Sequence, residues 1–111
     1  MAGEVEGSSS WIQLQKEYVV LEISTWPGRG ISVRISSEDN GTPVLFDSRM
    51  FETTSEAIPP HWISRIGKEG SLEIGPPSWL VPGFWERFFD QVSEAVEDYE
   101  GEMAKTIGFE A

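Results

Sequence analysis

The chain has 111 residues, 39% of them apolar, with nineteen Asp and Glu against eight Lys and Arg and no cysteine. That length suits one domain with a single core. The missing thiols exclude disulfides, cysteine-ligated metal and thiolate catalysis, and no apolar run approaches the roughly 20 residues of a membrane-spanning helix. A net charge of −11 repels nucleic acid and anionic lipid and favours cationic proteins, polyamines or divalent ions as partners.

Residues 1–10 are small, polar and acidic and read as a flexible leader, with neither the basic start nor the apolar centre of a signal peptide. Ala2 stands where a myristoylation signal needs glycine. Together with the absent cysteines this points to the cytoplasm, and residues 11–111 read as one domain. Trp11-Ile12-Gln13-Leu14-Gln15 and Tyr18-Val19-Val20-Leu21-Glu22-Ile23 are rich in β-branched and aromatic residues and predict one long strand or two short ones. Trp26-Pro27-Gly28-Arg29-Gly30 is turn chemistry. Ile31, Val33 and Ile35 then alternate with Ser32, Arg34 and Ser36, the pattern of a strand buried on one face and wet on the other.

Asn40-Gly41 suits a hairpin turn leading to a strand over Val44–Asp47. The pattern loosens after Phe51, and Pro59-Pro60 blocks regular pairing. His61–Ile66 reads as a helical turn ended by Gly67, and Ser71–Ile74 as a fourth strand. Pro82 suits the first turn of a helix that Gly101 closes. At the helical period Phe84, Trp85, Phe88, Phe89, Val92, Ala95, Val96 and Tyr99 fall within an arc of roughly 140°. The expected fold is therefore α+β: an antiparallel meander of about four strands with one C-terminal amphipathic helix. That helix would pack on the sheet face made by Val19, Leu21, Ile31, Val33, Ile35 and Leu72.

No catalytic motif stands out. His61, the one histidine, lies between Pro60 and Trp62 without a local partner and reads as a loop residue packed on a ring. Glu22, Asp47 and Glu73 fall at the solvent positions of alternating strands, so paired-carboxylate chemistry is not expected. Glu38-Asp39-Asn40 lacks the spacing of a calcium loop, and Gly28-Arg29-Gly30 lacks the rest of a phosphate-binding fingerprint. No metal and no cofactor is expected.

The acidic face of the C-terminal helix is the strongest functional signal. Residues 76–111 hold eight acids against two bases, and Glu86, Asp90, Glu94, Glu97, Asp98 and Glu100 are answered there by Arg87 alone. Like charges recur four residues apart, which costs a few tenths of a kcal/mol per pair and which a cationic partner would relieve. Five tryptophans exceed what a small core commonly uses, and Trp62 and Trp79, in proline-flanked loops, are candidate anchors for that partner.

In size, charge sign, absence of cysteine and sheet-plus-helix layout, around the segment Trp79-Leu80-Val81-Pro82-Gly83-Phe84-Trp85-Glu86, the chain resembles the small acidic immunity proteins of bacterial toxin systems. The resemblance implies an inhibitor that occludes a basic toxin. The expected function is accordingly non-enzymatic: an inhibitor or immunity factor that binds a basic protein through Glu86, Asp90, Glu94, Glu97 and Asp98, with Trp62 and Trp79 as anchors. An adaptor that docks a partner on its sheet face or edge is the alternative within binding functions, and a carboxylate-dependent enzyme the alternative outside them. The oligomeric state is left open.

Overall fold

The computed structural model describes residues 1–5, 16–36, 42–67 and 69–110. Its strands are β1 (Ala2–Val5), β2 (Glu17–Val19), β3 (Glu22–Trp26), β4 (Gly30–Ser36), β5 (Pro43–Asp47), β6 (Phe51–Ser55), β7 (Ile63–Ile66) and β8 (Leu72–Gly75). Two helices follow, α1 (Phe84–Phe89) and α2 (Ser93–Glu110), and 3-10 turns occupy Ser48–Met50 and Pro77–Leu80. The class is α+β, as the sequence indicates, but the strands form two antiparallel sheets, ordered β2-β1-β6 and β5-β4-β3-β8-β7. Among the described residues no helix is long and apolar enough to cross a membrane. Trp11–Gln15 and the Asn40-Gly41 turn lie outside the described residues.

The turn at Trp26–Gly30 forms as its chemistry predicts. Trp26 pairs with Gly30, Arg29 N donates to Trp26 O at 3.0 Å, and Gly28 and Gly30 take φ of 77° and 72°, values that favour glycine. Elsewhere long-range pairing overrides local pattern. Ala2–Val5, read above as part of a leader, is the central strand of the smaller sheet, bonded to β2 on one side and β6 on the other. His61–Ile66 is not a helical turn: Ile63–Ile66 pairs with β8 through the tight return Gly67–Ser71, where Gly67 N donates to Ser71 O at 2.9 Å.

The larger sheet has two different faces. On one, Val33 packs with Val20 and Trp62, against Met1, Ile23, Phe51 and Ile74. Beside it Ile35 packs with Tyr18, against Phe46, Met50 and Phe51. This is the apolar face, and the smaller sheet covers it. The helices cover the opposite face, which carries Glu22, Ser24 and Arg34 and which the sequence reading left to solvent. The expected docking of the helix on Val33, Ile35 and Leu72 is therefore corrected: the alternation of the strands was right, but the cover of each face was exchanged.

A β-bulge makes the helix side workable. Leu21 N donates to Arg34 O at 2.7 Å while Glu22 is the register partner of Arg34, so two residues face one and both turn toward the helices. Leu21 joins Trp79, Phe84, Ala95 and Tyr99 in the core under α1 and α2. Glu22, only 3% exposed, accepts from Arg34 Nε at 3.3 Å and from Trp85 Nε1 at 3.3 Å. The Arg34 guanidinium lies 3.9 Å from the centroid of the Trp85 ring and donates to Pro43 O at 3.0 Å. Trp85 thus sits as a lid on a buried ion pair, joined to it by a hydrogen bond and a cation–π contact.

The single helix expected over Phe84–Gly101 is two helices. α1 stops at Phe89, Gln91 turns the chain with φ of 63°, and Val92 N donates to Arg87 O. α2 runs through Gly101 to Glu110. Ala95, Tyr99 and Thr106 form its buried stripe, and its far end is tied down by Met1, whose amino group pairs with Glu110 and bonds to Ala57 O.

Two stability changes follow. Arg34→Met leaves Glu22 buried without its cation and should lower stability by about 3–5 kcal/mol, whereas Glu22→Leu with Arg34→Met should recover most of that loss; denaturant midpoints of the three proteins decide it. Gln91→Gly relieves the left-handed backbone and should raise the midpoint by about 0.5–1 kcal/mol equivalent.

Candidate functional site

The acidic residues of the two helices divide into those the fold uses and those it leaves in water. Asp98 accepts from Ser78 Oγ and ties α2 to the Pro77–Leu80 turn. Glu102 faces His61, with 3.5 Å between Oε2 and Nε2, and receives Lys105 Nζ at 3.2 Å. Glu110 holds the amino terminus. By contrast Glu86, Asp90, Glu94, Glu97 and Glu100 are exposed, and among the described residues none of them forms an ion pair. Of the five acids expected to bind a partner, four stay on this surface; Asp98 is half-buried in its hydrogen bond with Ser78.

The break at Gln91 also rearranges the face. Glu86 and Asp90 lie on and just past α1, while Glu94, Glu97 and Glu100 belong to α2, so the uninterrupted ridge expected from one helix is two acidic segments meeting at the Asp90–Val92 corner. Of the like-charged spacings, Glu94–Asp98 and Asp98–Glu102 remain within one helix, and the second is relieved by Lys105.

Trp62 and Trp79 are interior rings. Trp79 is 1% exposed and stacks on Tyr99 with 5.2 Å between centroids; Trp62 is 7% exposed and donates from Nε1 to Thr106 Oγ1 at 3.3 Å. Neither is open to a partner. Proline-flanked loops fold these rings back because an indole buries a large area once a pocket receives it. Among the described tryptophans the exposed one is Trp26, at 41%, carried on the β3–β4 turn.

Trp26 opens onto a cleft of about 660 Å³ on the helix side of the larger sheet. Trp85 and the Trp79–Phe84 segment form one wall, and Glu69, Glu73, Glu86 and Arg65 supply its charged groups. At one end the β3–β4 and β7–β8 turns come together, with Pro27 Cγ 3.6 Å from where a side chain at Gly70 would begin. Arg65, itself exposed, donates to Leu80 O at 2.5 Å. Three carboxylates, with the exposed Trp26 and half-buried Trp85 rings and one cation, Arg65, surround this concavity; carboxylates attract cations by charge and indole faces by their quadrupole. No sequence pattern united them, since Trp26, Glu69, Glu73 and Glu86 come from three separate segments that only the sheet order brings together.

Beneath the cleft, burial raises the pKa of Glu22 above its ordinary 4.5, with Arg34 and the Trp85 hydrogen bond opposing and Glu73 adding to the rise. Burial likewise lowers Arg34, against the pull of Glu22, and it raises the Tyr99 phenol. Glu22 was expected in solvent; the bulge and Trp85 enclose it. His61 lies outside the cleft, beside Glu102 and Thr106. Compared with protein-family models, curated proteins and solved structures, the chain matches none.

The raised Glu22 value has a definite sign. The folded state holds that proton more tightly than the unfolded chain, so its contribution is fully present below pH 4.5 and is lost as pH rises through the folded value. The stability of the native protein relative to the Glu22→Leu, Arg34→Met variant should therefore fall as pH rises from 4.5 and then level off. A difference that stays flat over this range in denaturant titrations would contradict the assignment.

Proposed function

We propose that the protein is a non-enzymatic binding protein, an inhibitor or immunity factor that neutralises a basic protein partner. Its contact surface runs from the cleft carboxylates Glu69, Glu73 and Glu86 past Asp90 to Glu94, Glu97 and Glu100. The observation that carries this reading is the division of the helix acids. Those placed to stabilise the fold have partners, and those facing water have none among the described residues, although i,i+4 lysines would stabilise the helices at no structural penalty. Such a field speeds encounter with a cationic surface, and an exposed ring such as Trp26 slows release. Of the alternative, an adaptor docking through its sheet face or edge, the covered faces support the first half less well, because one face of the larger sheet is covered by the smaller sheet and the other by the helices, while the edge at β7 remains open.

Octa-arginine serves as a probe of the surface. Its affinity should fall about ten-fold between 50 and 300 mM salt as screening shortens the reach of exposed charges. Glu94→Lys with Glu97→Lys should weaken it several-fold more than Glu52→Lys with Glu56→Lys, a pair on and beside β6 that changes net charge equally. Equal effects from the two pairs would show that net charge alone attracts the peptide and would end the proposal.

A further inference from the structure

The last strand of the larger sheet is open in a way the other edges are not. β7 bonds only to β8, and the register there is Ile63↔Gly75, Ser64↔Ile74, Arg65↔Glu73 and Ile66↔Leu72. Gly67 N bonds to Ser71 O, and bonded pairs alternate along an antiparallel ladder, so Ile63 and Arg65 face β8 with their backbone groups. The N–H and C=O groups of Ser64 and Ile66 therefore point outward, and no backbone group among the described residues receives them.

All four residues of β7 are exposed, with Ile66 at 77% and Ile63 at 47%. Edges are ordinarily guarded by proline, by charge or by a covering segment. β5 starts at Pro43 and β6 carries the exposed Glu52, but the one charge on β7, Arg65, is drawn away to Leu80 O.

We propose that β7 accepts an extended segment of the partner as a sixth strand of this sheet, and that the segment is basic with apolar residues at alternate positions. This deepens the proposed function and rests on its cationic partner. Residues of an added strand that lie opposite Ser64 and Ile66 would project beside the bare Ile66 side chain, which selects apolar groups. Those opposite Ile63 and Arg65 would project on the cleft side, where long basic side chains reach toward Glu69, Glu73 and Glu86. Main-chain bonds to Ser64 and Ile66 hold the segment, and alternate side chains give it identity, the division of labour of strand addition. A second copy fits the edge poorly. It would bring two molecules of net charge −11 together, set the cleft acids of one near those of the other, and offer within the strand itself Arg65 as the one cation.

The test is a heptapeptide alternating lysine and valine, titrated into isotope-labelled protein and followed by amide chemical shifts. Saturable shifts centred on Ser64 and Ile66 are expected. Ser64→Pro removes an N–H that faces away from β8, so the sheet tolerates it, and it should weaken the peptide about ten-fold or more. Should that variant fold poorly, the same peptide N-methylated at alternate amides makes the cut from the other side, with charge unchanged and an equal loss expected. Binding that survives both changes, or that is matched by a glutamate–valine peptide, overturns strand addition. So does a dimer that Ser64→Pro dissolves in sedimentation while the peptide fails to bind, because the occupant would then be a second copy. Sensitivity to Glu94→Lys with Glu97→Lys but not to Ser64→Pro or N-methylation would keep the acidic-surface reading and discard this one. Failure of that reading shows instead as octa-arginine binding that responds equally to the two charge-reversal pairs.

Discussion

The arrangement of the whole molecule depends on the buried pair Glu22–Arg34 beneath Trp85. A sheet face carrying a carboxylate and a guanidinium is a poor seat for an aromatic helix unless both charged groups have partners within the interface. Here the carboxylate takes bonds from both Arg34 and the indole N–H, and the indole face covers the guanidinium. With those contacts in place, Phe84, Phe88, Tyr99 and Trp79 can close around the pair and complete the core. Burial raises Glu22 and lowers Arg34, so for both groups the loss of water outweighs the partner's attraction. The pair is thus a poor source of net stability. What it supplies is a choice of geometry: only the register with Leu21 and Glu22 both opposite Arg34 lets the pair form, and a one-residue slip would bury the carboxylate against Val33 and Trp62.

That choice decides where the acidity goes. With α1 held over the sheet by Trp85, Glu86 falls at the cleft and Asp90 at the corner. With α2 held by Tyr99 and Thr106, the remaining acids sort by helical phase. Asp98, Glu102 and Glu110 land near hydroxyl, imidazole and amino groups of the body, and Glu94, Glu97 and Glu100 land in water. The acidic surface is the residue of a packing solution, and among the described residues none of its exposed acids forms an ion pair.

How far the sequence carried this picture follows from what local pattern encodes. Ile31–Ser36 and the Trp26–Gly30 turn were legible because alternation and glycine placement are local. The class, α+β with helices at the C-terminus, was legible too. The cover of each sheet face was not, because alternation separates two faces without saying what lies over them, and Arg34 and Glu22 look like solvent residues until they meet. β1 was illegible because Ala2-Gly3-Glu4-Val5 is short, carries little apolar surface and becomes a strand only through neighbours on both sides. β7 was misread because Ile63 and Ile66 have helical spacing, and only the return through Gly67–Ser71 makes them a ladder. The corner at Gln91 gave no signal, being neither glycine nor proline. At the candidate site, the exposed helix acids were legible from phase alone, while the cleft, assembled from three segments, and the inward turn of Trp62 and Trp79 were not.

The acidic surface and the open edge answer different halves of recognition, and their combination has a physical logic. Field strength acts at a distance and chooses the sign of the partner, yet exposed charges alone release as readily as they capture, since each pair contributes little in water. Backbone pairing acts only at contact and is blind to side chains, so an unguarded edge by itself invites any strand, including those of unfolded chains. An acidic border beside β7 limits that hazard. On the proposed reading, anionic segments would be turned away before they reach the edge, and a basic segment would arrive with its cations directed toward Glu69, Glu73 and Glu86. On that same reading the unpaired acids of the helices and the sparse guard on β7 are one design, in which charge supplies the selectivity that main-chain hydrogen bonds lack.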